Sequence, residues 1–110
     1  DELAEKLLNA GKKTGDLAWR MPLHSDYTEL MQSTYADLAN VSAVRGAGAS
    51  TAAAFLETFV EGTPWAHLGI AGTANTSGKD HASTGRPVAL LVEFLRDLAE
   101  SKKAMEAASV

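Results

Sequence analysis

The sequence predicts an α/β chain, mostly helical, arranged around one strand whose partners it does not supply. Two observations carry the helices. Ala52, Phe55, Leu56, Phe59 and Val60 recur at the i, i+3, i+4, i+7, i+8 spacing of a helix with one buried face. Val88, Leu91, Val92, Leu95 and Leu98 form a second such stripe after Pro87, and Leu90 and Phe94 widen it. The third observation is the stretch WAHLGI at residues 65–70. Trp65, His67 and Gly69 alternate with Ala66, Leu68 and Ile70, and both faces are largely apolar, as in a strand covered on both sides.

In chain order, residues 1–10 read as a helix. Leu3, Leu7 and Leu8 form its stripe, Glu2 and Glu5 suit its positive end, and residues 11–15 end it. The segment LAWRMPL at 17–23 is extended or irregular, because Pro22 disfavours helix at Met21. Residues 26–33 suit a short helix with Tyr27, Leu30 and Met31 on one side. Small residues dominate the loop at 39–50, where Gly46 and Gly48 permit unusual backbone angles and Ser50 or Thr51 can cap the next helix. That helix stops at Gly62 and Pro64. A long polar loop follows the strand over 72–85, and Pro87 suits the first turn of the last helix, whose tail continues as helix and then frays. A lone strand cannot satisfy its own backbone donors and acceptors. Either residues 17–23 and 37–41 supply weak strands, or the partners lie in sequence outside this stretch; the second is the expectation. The chain starts without Met and already in helical pattern, which suggests a piece of something longer.

Composition narrows the function. The 110 residues are enough for one domain at most. The net charge is −4, and the pairs Lys12-Lys13 and Lys102-Lys103 read as solvated helix-end charges, so nucleic acid is not an expected partner. Without cysteine there is no disulfide and no thiolate metal site, which is compatible with a reducing compartment. The apolar runs at 52–56 and 88–92 are too short to span a bilayer, so no membrane role is expected.

The candidate chemistry is sparse. His24, His67 and His81 show no HExxH spacing, and neither His24 near Asp26 nor His81 beside Asp80 makes a metal site. His67, among apolar neighbours, reads as a hydrogen-bonded core histidine rather than a catalytic one. There is no G-x-S-x-G elbow, and GAGAS at 46–50 lacks the lysine and spacing of a phosphate loop; with Arg45 it is at most a minor anion site. Ser83 to Pro87 combine a cap, a turn glycine and a helix-starting proline. Glu93 and Asp97 read as solvated and mildly repulsive. The chain thus offers no catalytic and no metal-ligating residues of its own. It does offer a loop leaving the end of a buried strand, a common place for ligand contact in open α/β sheets.

At this point the residues resemble a family. WAHLGIAGTA at 65–74 is similar to the WAHLDIAGTA signature of the leucyl aminopeptidases, also called cytosol aminopeptidases. LAWRMPL resembles their WRLPL segment, YADLANV the D-x-x-N segment after it, ASTAAAFLETFV their glycine-loop helix, and SGKDHASTGRPVALLVEFL their closing loop and final helix. The blocks occur in the family's order and cover most of the chain. Gly69 stands where the family usually has Asp, Asn75 where Trp is frequent, and Ala82-Ser83 replace Gly-Ala.

The resemblance implies the C-terminal portion of an α/β/α catalytic domain with a mixed central sheet, with residues 1–110 forming an incomplete part of it. It implies a metal-dependent aminopeptidase that releases N-terminal residues such as Leu from peptides, assembles as a hexamer and works in the cytoplasm. The family uses two divalent metal ions, commonly zinc, manganese or magnesium, which lower the pKa of a bound water and polarise the peptide carbonyl. Their Lys, Asp and Glu ligands and the catalytic arginine belong to motifs upstream of this stretch, so no catalytic or metal residue carries over and the stretch alone is not expected to be active. One element does carry over. In the family, the Ala of IAG and the residue three further on line the pocket for the substrate's N-terminal side chain; here these are Ala71 and Ala74. Small side chains there leave room for a branched apolar group. The alternative is a non-catalytic structural or interaction protein of the same fold, in which the upstream ligands would be substituted. A free-standing helical binding module is a third reading; it requires cooperative unfolding of the chain alone, whereas the open strand and apolar faces predict aggregation.

Overall fold

The computed structural model describes residues 1–109 and contains four helices: α1 (Glu2–Thr14), α2 (Ser25–Glu29), α3 (Gly48–Glu57) and α4 (Val88–Ala108). The chain divides into two compact units, Asp1–Arg20 with Leu68–Val110, and Met21–His67.

In the first unit α1 packs against α4. Leu7, Ala10 and Leu90 form the core, and Leu3, Leu68 and Phe94 close around it. The helix α1 runs through Gly11 and ends only at Gly15, which takes the left-handed conformation (φ 75°) that glycine adopts without strain. Gly11 was expected to begin the helix end, and packing explains why it does not. A Cβ there would lie 2.7 Å from the Asp16 carbonyl oxygen and 3.1 Å from Leu90 Cδ1. The glycine is a close-approach position inside the helix, where a side chain would not fit, at a propensity cost of about 1 kcal/mol.

The buried face of α4 differs from the expected stripe. Leu90 is fully buried and Phe94 half-buried, whereas Val88, Leu91, Val92, Leu95 (59% exposed) and Leu98 all lie open. A helix with apolar residues over much of its circumference has no single face written into it. The neighbour decides, and α1 meets the Leu90–Phe94 side. Asp97, expected to be solvated, continues that side and is half-buried; both its oxygens accept bonds from Lys13 Nζ, at 3.1 and 3.0 Å. This contact holds the Lys13 ammonium above its ordinary pKa, through the hydrogen bond first and the charge of Asp97 second.

In the second unit α2 packs against α3 around Met31 and Ala54, each 1% exposed. The helix α3 starts at Gly48 after Ala47, itself left-handed (φ 51°), and no side chain caps it. Ser50 and Thr51 lie inside the helix instead: Ser50 Oγ donates to the Pro22 carbonyl (2.7 Å) and Thr51 Oγ1 to that of Gly48 (3.1 Å). The helix ends at Glu57, short of Phe59 and Val60. Its buried residues are Ser50, Thr51 and Ala54; of the expected Ala52–Val60 stripe, Phe55 and Val60 are half-buried while Ala52, Leu56 and Phe59 are exposed, so the stripe is covered only in part.

The expected strand at 65–70 does not form. Residues 63–70 are neither helix nor strand, as are 17–23, and 37–41 contain only bends. Among the described residues the one sheet-type pairing is an isolated antiparallel bridge between Asn75 and Ser83. A strand exists only as hydrogen bonds to a neighbour, and no neighbour is present among these residues. The mixed sheet implied by the resemblance is therefore not seen here; the helical content is.

Candidate functional site

The segment after Ile70 contains the two residues singled out as pocket wall. It turns at once: the amides of Thr73 and Ala74 both donate to the Ile70 carbonyl, at 3.0 and 2.8 Å. Ala71 and Ala74 stand at the two ends of this turn, Ala71 exposed and Ala74 half-buried. The loop then closes on itself. Thr76 N donates to the Ala82 carbonyl (2.8 Å), Ala82 N to Thr76 Oγ1 (3.0 Å), and Thr84 N to the Ala74 carbonyl (2.9 Å). The Thr84 hydroxyl also reaches the carbonyls of Thr73 and Ala74. A segment of Gly, Ser, Thr and Ala has little apolar surface to hold it, so these bonds do the holding.

Sequence reasoning missed the anchor of this loop, Asp16. The carboxylate is buried (7% exposed). Its Oδ1 accepts from Arg86 Nε at 2.7 Å and its Oδ2 from the Leu90 amide at 3.3 Å, while Arg86 Nη2 donates to the Leu17 carbonyl at 2.6 Å. Leu90 supplies one of the first amides of α4, which have no partner within the helix. Pro87, at the cap position, has no side-chain acceptor to offer, so Asp16 supplies the cap from outside the helix and favours its positive end. Only an Asp directly after the α1-terminating Gly15 hinted at this in the sequence. The Arg86 partner is 70 positions away and could not be inferred.

The histidines are scattered. His67 is exposed, not the core histidine expected, because the strand that would have buried it is unformed. His24 Nδ1 lies 3.6 Å from Asp26 Oδ2 and its ring lies 4.5 Å from that of Tyr27, tilted by 37°, all on an exposed or half-buried surface. His81 is exposed at the loop tip with φ 32°. Among the described residues there is no group of three or more His, Cys, Asp or Glu placed to hold a metal ion. A recess of about 520 Å³ lies between α1 and α4, but neither Ala71 nor Ala74 lines it. Its wall carries both signs of charge, Lys6 and Lys13 against Asp97 and Glu100, and the Lys13–Asp97 pair already satisfies its best donor and acceptor. No helix among the described residues is long and apolar enough to cross a membrane.

The family model described as "Cytosol aminopeptidase family, catalytic domain" matches residues 1–92. The chain belongs to the cytosol aminopeptidase family. Its relatives include probable cytosol aminopeptidases of Histophilus somni (strain 129Pt), 55% identical over 86% of this chain and 19% of the relative, and of Aeromonas salmonicida, 57% identical over 84% and 18%. A third, from Acidovorax sp. (strain JS42), is 56% identical over 90% of this chain and 20% of its own length. The chain thus spans about a fifth of the length of the cytosol aminopeptidases it matches. The family match takes in α1, the loop with Ala71 and Ala74, Asp16, Arg86 and the first residues of α4.

Proposed function

We propose that residues 1–110 are the C-terminal part of the catalytic domain of a metal-dependent aminopeptidase that releases N-terminal residues such as Leu from peptides. In this reading Ala71 and Ala74 line the pocket for the N-terminal side chain, and the stretch supplies pocket wall and scaffold rather than catalytic groups. The observation that carries it is the family match over residues 1–92, which includes the IAGTA loop. The relatives' printed name, cytosol aminopeptidase, supports a peptide substrate and a cytoplasmic location.

Two features of the chain fit this role. Alanines at 71 and 74 leave space where larger side chains would fill it, and a mostly apolar pocket suits a branched aliphatic group. The open apolar side of α4, with Val88, Leu91, Val92, Leu95 and Leu98, suits a domain whose remaining layers come from further sequence. The reading assigns the two divalent ions (zinc, manganese or magnesium) to residues outside this stretch, and a homo-hexamer as the working assembly. No chemical step falls to a residue of this chain.

The test is hydrolysis of leucine amide by the complete protein that carries this chain, with added manganese or zinc and a chelator control. Chelator-sensitive release of leucine is expected. A folded, metal-supplied protein without turnover would overturn the reading in favour of a non-catalytic relative.

A further inference from the structure

The loop that carries Ala71 and Ala74 has no helix or strand to fix it, yet one side chain gathers its bonds. Thr84 Oγ1 donates to the carbonyl of Thr73 and lies 3.1 Å from that of Ala74; one hydroxyl hydrogen is shared between two acceptors. The same oxygen accepts from the Arg86 amide at 3.2 Å, and the Thr84 amide donates to the Ala74 carbonyl at 2.9 Å. Two residues further on, the Arg86 side chain is held by the buried Asp16 and the Leu17 carbonyl. Asp16 in turn accepts from the Leu90 amide of α4. A continuous run of hydrogen bonds therefore leads from the packed α1–α4 pair to the backbone of Ala74.

We propose that Thr84 is a positioning residue for substrate selectivity: its hydroxyl holds the pocket wall at Ala74 in register, and Arg86 and Asp16 anchor it to the helices. This rests on the reading above that Ala74 lines the side-chain pocket. A wall built from a methyl group selects by where its backbone stands, since the side chain has no rotamer to adjust. Loosening the Ala74 carbonyl moves the whole wall. Such a change acts on the side chain being selected and leaves the reacting carbonyl chemistry alone.

The test compares kcat/KM for leucine amide, alanine amide and phenylalanine amide in the complete aminopeptidase. Thr84→Val keeps the shape and removes the hydroxyl; the leucine-to-alanine ratio is expected to change about three- to tenfold, the span of a lost hydrogen bond. Thr84→Ser restores the hydroxyl and is expected to return the ratio to within about twofold of the parent. A purely structural role would reduce the amount of active enzyme and scale all substrates together, so an unchanged ratio in Thr84→Val overturns the proposal. Ala74→Leu tests the underlying reading separately. It is expected to turn selectivity against leucine and phenylalanine. If it leaves the ratios unchanged, the pocket reading fails, and the proposal with it. If it shifts them while Thr84→Val does not, the proposal alone fails. Should Thr84→Val not yield folded protein, Asp16→Asn carries the same comparison through the anchor, and an unchanged ratio there counts against the proposal equally.

Discussion

Replacing Asp16 by Asn isolates the cap that the fold supplies to α4. The carboxylate faces two donors, Arg86 Nε at 2.7 Å and the Leu90 amide at 3.3 Å. Asparagine keeps the shape but turns one acceptor into an NH₂ donor; its single oxygen stays with the charged Arg86 guanidinium, the stronger donor, and the Leu90 amide is left without a partner. A hydrogen bond to a charged group contributes about 1.5–3 kcal/mol. The Arg86 side chain is 38% exposed, which screens the ionic part, and about 2 kcal/mol is a fair expectation for the pair of bonds. That corresponds to about thirtyfold in a local opening equilibrium. Hydrogen exchange read by mass spectrometry suits it, because it reports local opening whether or not the chain unfolds in one step. Amides at residues 88–91 are expected to exchange about thirtyfold faster in Asp16→Asn, and those of the last turns of α4 at the parent rate. Unchanged exchange at 88–91, or equal acceleration along the whole helix, would refute the capping role.

Two further predictions separate neighbouring readings of the fold. Leu90→Ala removes the one α4 side chain that is fully buried and is expected to weaken α1–α4 pairing by about 2–3 kcal/mol, at the low end for a leucine because the cluster is small. Leu91→Ala, on the open side, is expected to cost well under half of that in the same chain, and equal effects in exchange protection would contradict the observed facing. The Lys13–Asp97 contact gives a pH signature. Because the Lys13 pKa is raised, the contact's contribution is fully present below the ordinary value of 10.5 and disappears as pH rises through the raised one. An NMR titration of Lys13 is expected to return toward 10.5 in Asp97→Asn; an identical midpoint in both proteins would show that Asp97 is not the cause.

By itself the sequence determined what local chemistry and pattern can carry. The short-range signals at Gly15 and Pro87 stand at helix ends, whereas α3 stops at Glu57, well before Gly62; the apolar spacing located α1, α3 and α4, and the ordered blocks around IAGTA carried the family. Only the tertiary structure decided which faces of those helices meet a partner. Residues 88–98 are apolar over so much of their circumference that the spacing favoured Val88–Leu98, while contact with α1 selected Leu90 and Phe94. Strand pattern at 65–70 likewise stated only a capacity, since a strand's bonds belong to its neighbour, and His67 is exposed for want of one. The anchor of the candidate site was the least legible part. Asp16 and Arg86 are brought together across 70 positions, and no local rule pairs a carboxylate after one helix with a guanidinium before another. Burial and hydrogen bonding between distant segments are properties of the folded chain, and the loop with Ala71 and Ala74 takes its place from them.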